Sequence, residues 1–290
     1  MTDYAPLSMY RRGEGLGLWP HKGKVAAVGI GHSPTLRRWD GQPETSIGAF
    51  AIQALRLAIE DAGVNPDTVD GLVMDPETTT GAWWPEGQEI PSDVQAAFNP
   101  GVSPLDGIAT LSSEWILNNM PELTNVNFTM YGPVCMSNAI VVAAEAVGSG
   151  LTNTCLVLKG WHNLPGRYYQ GGANAEDTIS GDSVWSNPWG ESAGTGDAWT
   201  FMEYMHKYNV SHDMMAPFAI NETRNGLMFP EGFFYQHRPE PLTYEDYVNA
   251  RWIVKPLNLY DHDMPIQTAA AYLFTTAERA KDMKQRPVYV

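Results

Sequence analysis

The chain has two thiols, Cys135 and Cys155, and their surroundings in the sequence differ. Cys135 stands at the head of a strong helical pattern, Cys135 to Val147, with Ala139, Val142, Ala143 and Ala146 on one face. A thiol in the first turn of a helix faces the positive end of the dipole and free N–H groups. Both lower its pKa and favour the nucleophilic thiolate. The Gly132-Pro133 pair before it would turn the chain sharply and place the sulfur at the helix mouth. Attack on a carbonyl carbon, with the acyl group carried on sulfur, is the chemistry such a group supports. The plain alternative is a small buried apolar residue, which is what a free cysteine usually is. Cys155 lies inside an apolar strand pattern and reads as core.

Other chemistry-bearing residues carry weaker patterns. His162 follows the strand after the Cys135 helix, where α/β proteins often place site residues, but a solvated loop histidine is the better explanation. Asp261-His262-Asp263 has metal-capable side chains, but adjacent residues point in different directions and no distant ligand set accompanies them, so no metal is expected. Gly29-x-Gly31 lacks the third glycine of a dinucleotide fingerprint, and strand-end packing explains it better. The aromatic-rich run from Trp161 to Trp199 is suited either to lining a pocket for a large ring-bearing group or to packing within a loop domain or against a second subunit.

The elements that must position these residues are legible as a strand–helix alternation. Lys24 to Ser33 reads as a buried strand, and Ser46 to Gly63 as a helix with Ser46 as N-cap and Gly63 as C-cap. Val69 to Met74 is a second strand, followed by a Trp/Pro/Gly-rich insertion over about 76–103. The pattern predicts a helix from Pro104 to Asn118, a strand at Asn125–Tyr131, the Cys135 helix, and a strand at Asn153–Gly160. Regularity stops over 161–195, and helices resume at 197–209 and 212–226. Thr268 to Thr276 is an apolar strand, followed by a short helix at Ala277–Met283. Pro287 to Val290 reads as the beginning of a strand cut off with an unpaired edge. This is the pattern of a layered α/β fold, with a mixed, largely parallel sheet and helices on both faces.

Composition narrows the function classes. The net charge of −15 argues against nucleic acid, because phosphate backbones need a basic surface. Charged residues are only 18% of the chain and hydrophobic ones 43%, which suits a large buried core or subunit contacts. Two cysteines make no disulfide framework and fit a reducing cytoplasm. No signal-peptide pattern precedes Gly23, and no apolar run approaches the ~18 residues of a membrane span, so no membrane association is expected. The sequons at Asn127, Asn209 and Asn221 are then expected to carry no sugar.

Four segments together resemble the N-terminal half of the thiolase superfamily, and within it the sterol-carrier-protein-type thiolases, or lipid-transfer-protein branch. They are Val25-Ala-Ala-Val-Gly-Ile-Gly-His-Ser33 with Ala58–Gly63 and Val69–Val73, Val134-Cys-Met-Ser-Asn-Ala139 with Ala143–Val147, Phe201–Tyr208 on to Arg251, and Lys255–Asp261 with Ala269–Ala280. The likeness covers about residues 24–290. Two departures stand out. The family's nucleophile motif has glycine where this chain has Asn138, and Gln267-Thr268 replace its usual Asp-Gly.

The resemblance implies a flexible arm over 1–23, a thiolase core over 24–160, a loop domain above an acyl-CoA pocket over 161–255, and a return to the core over 256–290. It implies that the thiolase C-terminal half, whose motifs do not occur in this sequence, is absent and would supply the acid/base residues. It implies that Cys135 is the catalytic nucleophile, that coenzyme A is substrate or product with no bound cofactor, and that the protein is a homodimer. Arg224, Arg238 and Arg251 are the candidates to meet coenzyme A phosphates. Thiolytic acyl transfer is the first expectation. The second is retro-aldol cleavage of a β-hydroxyacyl-CoA such as a steroid side chain, in enzymes typically paired with a small acyl-CoA-binding partner of OB-fold type. A non-catalytic acyl-CoA or lipid-binding half-subunit is the third.

Overall fold

The computed structural model describes residues 19–75, 89–132, 135–161, 195–264 and 266–290. Its core is a six-stranded sheet built from β1 (Val25–His32), β2 (Gly71–Asp75), β3 (Phe128–Tyr131), β4 (Thr154–Trp161), a long strand at Thr268–Thr276 and a short one at Val288–Tyr289. A two-stranded ribbon, β5 (Trp252–Val254) with β6 (Leu257–Asn258), stands apart, so the last two core strands are β7 and β8. The spatial order is β3-β2-β4-β7-β1-β8.

The sheet is mixed as expected, but it is less parallel than the sequence suggested. β2 runs parallel to β3 and β4, whereas β7 is antiparallel to β4 and β1, and β8 is antiparallel to β1. Strand–helix alternation forces parallel neighbours only where a helix crosses over between adjacent strands. β7 instead arrives after the long excursion of 162–267 and inserts between β4 and β1 from the other direction. The terminal strand pairs with β1 on one side, Ala26 with Tyr289 and Ala27 with Val288, and its other edge is the end of the described sheet.

Helices cover both faces. On one face lies α1 (Ile47–Ala62). Ser46 accepts a hydrogen bond from the Ala49 N–H at its start, and Gly63 adopts a left-handed φ of 69° at its end. Its apolar stripe, including Phe50, Leu55 and Ile59, packs on Val28, Leu72, Met74, Leu156, Leu158 and Leu273. Gly29 and Gly31 let β1 approach α1 closely. A Cβ on Gly31 would lie 1.9 Å from the Ala54 carbonyl oxygen, which accounts for the pair without a nucleotide.

The expected helix from Pro104 begins later. After α2 (Ser92–Ala97), α3 spans only Ser113–Asn119. The Asp106 carboxylate accepts from Ser103 N, Thr110 Oγ1 and Ser112 Oγ, holding 103–112 in turns. Ser112 then caps α3 through Trp115 N. On the opposite face of the sheet lies α4 (Met136–Ser149), with Ala139, Ala143 and Val147 against Val73, Cys155, Val157 and Phe274. Residues 19–23, expected within the arm, pack on this helix: Trp19 Nε1 donates to Glu145 at 2.5 Å, and His21 lies beside Gly148.

Four α-helices lie between residues 195 and 248: α5 (Thr195–Tyr208), α6 (Ala216–Gly226), α7 (Phe233–His237) and α8 (Tyr244–Val248). The chain then returns through β5, β6 and β7, and α9 (Ala277–Ala280) is shorter than the predicted 277–283. Gln267, one of the departures from the family pattern, pairs with Leu36 in an isolated antiparallel bridge and is buried. Its side chain donates to the Thr45 carbonyl, tying the start of β7 to the approach to α1.

Candidate active site

Cys135 is the N-cap residue of α4, with extended backbone at φ −150°, and its side chain does not cap the helix. It is held at the ends of the parallel strands by the segment that leaves β3. Gly132 N–H donates to the Met74 carbonyl at 2.8 Å. A Cβ on Gly132 would stand 2.5 Å from the Ala139 nitrogen, so glycine is needed for the chain to pass the first turn of α4. The Cys135 sulfur is half-exposed and lies 2.8 Å from the Ser137 hydroxyl. That hydroxyl, donating to the thiolate, lowers the Cys135 pKa, and the backbone N–H groups of Asn138 and Ser137 add to it. The charge of Asp75 opposes them. Asn138, where the family has glycine, leaves the backbone N–H facing the sulfur.

The second thiol is the opposite case. Cys155 is fully buried on β4 among Val73, Val157 and Phe274. Burial pushes its pKa up to about 12, as expected for a core residue.

Two residues that the sequence did not single out complete the site. Side chains alternate across a strand, so Asp75 shares the face of Val73, and Lys159 that of Val157, which is the α4 face. The register sets Asp75 directly beside Lys159. Lys159 Nζ lies 2.7 Å from Asp75 Oδ2, with the carboxylate wholly buried and the lysine side chain 26% exposed. Among the described residues, Asp75 Oδ1 has no hydrogen-bond partner and is buried. The Lys159 ammonium also lies 5.2 Å from the centroid of the Trp161 ring. A strand-end Asp followed 84 residues later by a Lys had no local signature to find.

The remaining sequence candidates fall elsewhere. His162 and most of the aromatic run lie outside the described residues. Asp261 is directed not to His262 and Asp263 but to His212 and Tyr247, at 2.7 Å and 2.5 Å. Among the described residues, no group of three His, Cys, Asp or Glu side chains could hold a metal ion. Arg224 donates to Asn221 within α6, and Arg251 is exposed ahead of β5. Arg238 packs over the Phe233 ring. Together with Arg38 it also stands beside Arg37, whose pKa is lowered by burial and then by these two charges. Of the three arginines, Arg238 is thus the one placed in a basic cluster, on the segment that meets β1's end through Thr35 Oγ1→Glu231 O. No described helix is long and apolar enough to cross a membrane.

No family model matches the chain. Two curated relatives are each 27% identical to it. One is a steroid side-chain-cleaving aldolase of Thermomonospora curvata, over 275 residues. The other is a 17-hydroxy-3-oxo-4-pregnene-20-carboxyl-CoA lyase of Mycobacterium tuberculosis, over 277 residues. Each match covers 92% of this chain and 61% of the relative, so the chain spans about three fifths of their length. Among solved structures, the Ltp2–ChsH2(DUF35) aldolase superposes with a TM-score of 0.67 and 24% identity, over 93% of this chain and 60% of that one. A monomeric SCP2-thiolase-like protein of Mycobacterium smegmatis gives a TM-score of 0.55 and 13% identity, over 93% of this chain and 49% of that one. The fold is therefore that of the thiolases, and the likeness to their sterol-carrier-protein branch expected from the four segments is borne out.

Proposed function

We propose that the protein cleaves a carbon–carbon bond of a β-hydroxyacyl-CoA by retro-aldol chemistry. The observation that supports this most is the similarity of 92% of the chain to two proteins named as an aldolase and a CoA lyase. It reverses the order of the two sequence-based expectations, in which thiolytic acyl transfer came first. In the reaction, the β-hydroxyl loses its proton and becomes a carbonyl. The bond between the α and β carbons breaks, and its electron pair passes to the thioester as an enolate. A proton returned to the α carbon completes the shortened acyl-CoA. Such a step needs a base and a site for the developing oxyanion, but no thiol nucleophile.

Thiolysis through Cys135 is the second reading, favoured by the sulfur's half-exposure and lowered pKa at the head of α4. Coenzyme A enters as part of the substrate in both readings. The two-component name of the Ltp2–ChsH2(DUF35) aldolase supports a partner subunit for this chain as well. Association into a homodimer is the other assembly to test, by light scattering of the purified protein.

One experiment separates the readings. The protein, with and without a DUF35-type partner, is incubated with 17-hydroxy-3-oxo-4-pregnene-20-carboxyl-CoA, and the products are followed by mass spectrometry. Retro-aldol cleavage releases a ketone and a shortened acyl-CoA without added coenzyme A, and it survives Cys135→Ala. Cleavage of a 3-oxoacyl-CoA offered in parallel, requiring free coenzyme A and lost in Cys135→Ala, would establish thiolysis instead.

A further inference from the structure

The site has one cation among its described groups on the α4 face of the sheet, and two contacts constrain its position. Lys159 is anchored to Asp75 at 2.7 Å, has its ammonium 5.2 Å from the Trp161 ring centroid, and stands opposite the small residue Ala270 on β7. A lysine side chain is flexible and strongly hydrated, so holding its ammonium in one place takes a buried counter-charge. Asp75 supplies this from the end of β2, next to Met74, whose carbonyl accepts from Gly132 on the approach to α4. Among the described residues its other oxygen, Oδ1, is buried with no hydrogen-bond partner. An unpaired buried carboxylate oxygen costs free energy, so the ion pair with Lys159 carries most of the compensation for burying Asp75.

We propose that Lys159, positioned by Asp75, is the group that meets the thioester oxygen of the acyl-CoA as negative charge develops on it. Gly132, on the approach to α4, donates to Met74 beside Asp75, so the positive end of α4 lies near the pair and adds to the potential of the ammonium. The role deepens the lyase reading and rests on it. In electron terms, the pair released from the broken carbon–carbon bond is delocalised onto the thioester oxygen, against the ammonium. The ammonium keeps its proton throughout. The hydroxyl proton leaves to water, and water returns one to the α carbon. Lys159 is thus the catalytic residue in this step and Asp75 a positioning residue.

The test separates this role from the lyase reading by using binding as well as turnover. The probes are S-(2-nitroethyl)-coenzyme A, whose nitronate imitates the enolate, and neutral S-ethyl-coenzyme A. Wild type is expected to prefer the first, and Lys159→Met to lose that preference by about tenfold or more while binding the neutral probe normally. Removing only the lysine strands a buried carboxylate, so the Asp75→Asn/Lys159→Met double variant is measured beside it, and it should behave like Lys159→Met. Lys159→Arg should retain most of the preference. On a β-hydroxyacyl-CoA, Lys159→Ala should lose about a hundredfold in kcat, with KM within about threefold, and regain part of it with added ethylammonium.

An unchanged nitronate preference in both methionine variants would overturn the proposal. If wild type shows the preference but cleaves no β-hydroxyacyl-CoA, the lyase reading fails while the oxyanion site stands. If wild type binds neither probe, the acyl-CoA reading and the proposal fall together.

Discussion

Tyr247 and Asp261 are joined by a hydrogen bond of 2.5 Å between phenol and carboxylate, with the tyrosine wholly buried. His212 closes the network, its Nε2 lying 2.7 Å from Asp261 and 2.9 Å from the Tyr247 oxygen, with its ring stacked on the phenol. Asp261 also accepts from Asn258 N, so the cluster binds α8, the β6 turn and the segment before α6 into one unit. Burial first, and then Asp261, push the Tyr247 phenol far above its ordinary range. Tyr247→Phe should therefore cost about 1 to 3 kcal/mol, because it leaves a buried carboxylate oxygen short of a donor. Urea unfolding of the variant against wild type measures this. An unchanged midpoint would show the hydroxyl to be dispensable.

The two thiols should be distinguishable by alkylation. In native protein, Cys135 is expected to react with iodoacetamide with a midpoint below the ordinary thiol value of about 8.5, and Cys155 not at all. Ser137→Ala removes the largest contribution to the Cys135 shift, so the midpoint should move to higher pH. Mass mapping of labelled peptides across a pH series reads both residues at once.

Cys155 also makes an alkaline stability prediction. Its folded pKa, about 12, exceeds that of the unfolded thiol, so the folded state holds its proton more tightly. The stabilisation is complete below about pH 8.5 and declines above it, by at most about 1.4 kcal/mol per pH unit. Cys155→Ala should lose stability at neutral pH through the missing packing, yet show a flatter decline between pH 9 and 10.5, on the order of that slope. Equal slopes in the two proteins would contradict the assignment.

Gly132→Ala tests how α4 is seated. The added methyl would meet the Ala139 backbone at 2.5 to 2.6 Å, which cannot be relieved by a rotamer change. A loss of about 1 to 3 kcal/mol in stability is expected, together with an upward move of the Cys135 midpoint as the first turn is displaced. Alkylation kinetics and thermal unfolding of one preparation provide both readings.

What the sequence determined by itself is local. Ser46 and Gly63 bracket α1 because a cap bond and a left-handed φ act within one turn, and Thr268–Thr276 is a strand because its side chains suit a pleated, buried surface. Cys135 was legible at a helix head for the same reason, as was the core position of Cys155. Only the tertiary structure decided the rest. The direction of β7 follows from where a chain returns after more than a hundred residues, and no periodicity encodes that. Helix α3 starts at Ser113 and not near Pro104 because Asp106 gathers three donors in competition with the helix. Asp75 meets Lys159 only because β2 and β4 pair in one register, 84 residues apart in sequence. His212 likewise reaches Asp261 across 49 residues. Charge pairs of this kind depend on a distance in space, and a spacing along the chain holds no information about it until the sheet has formed.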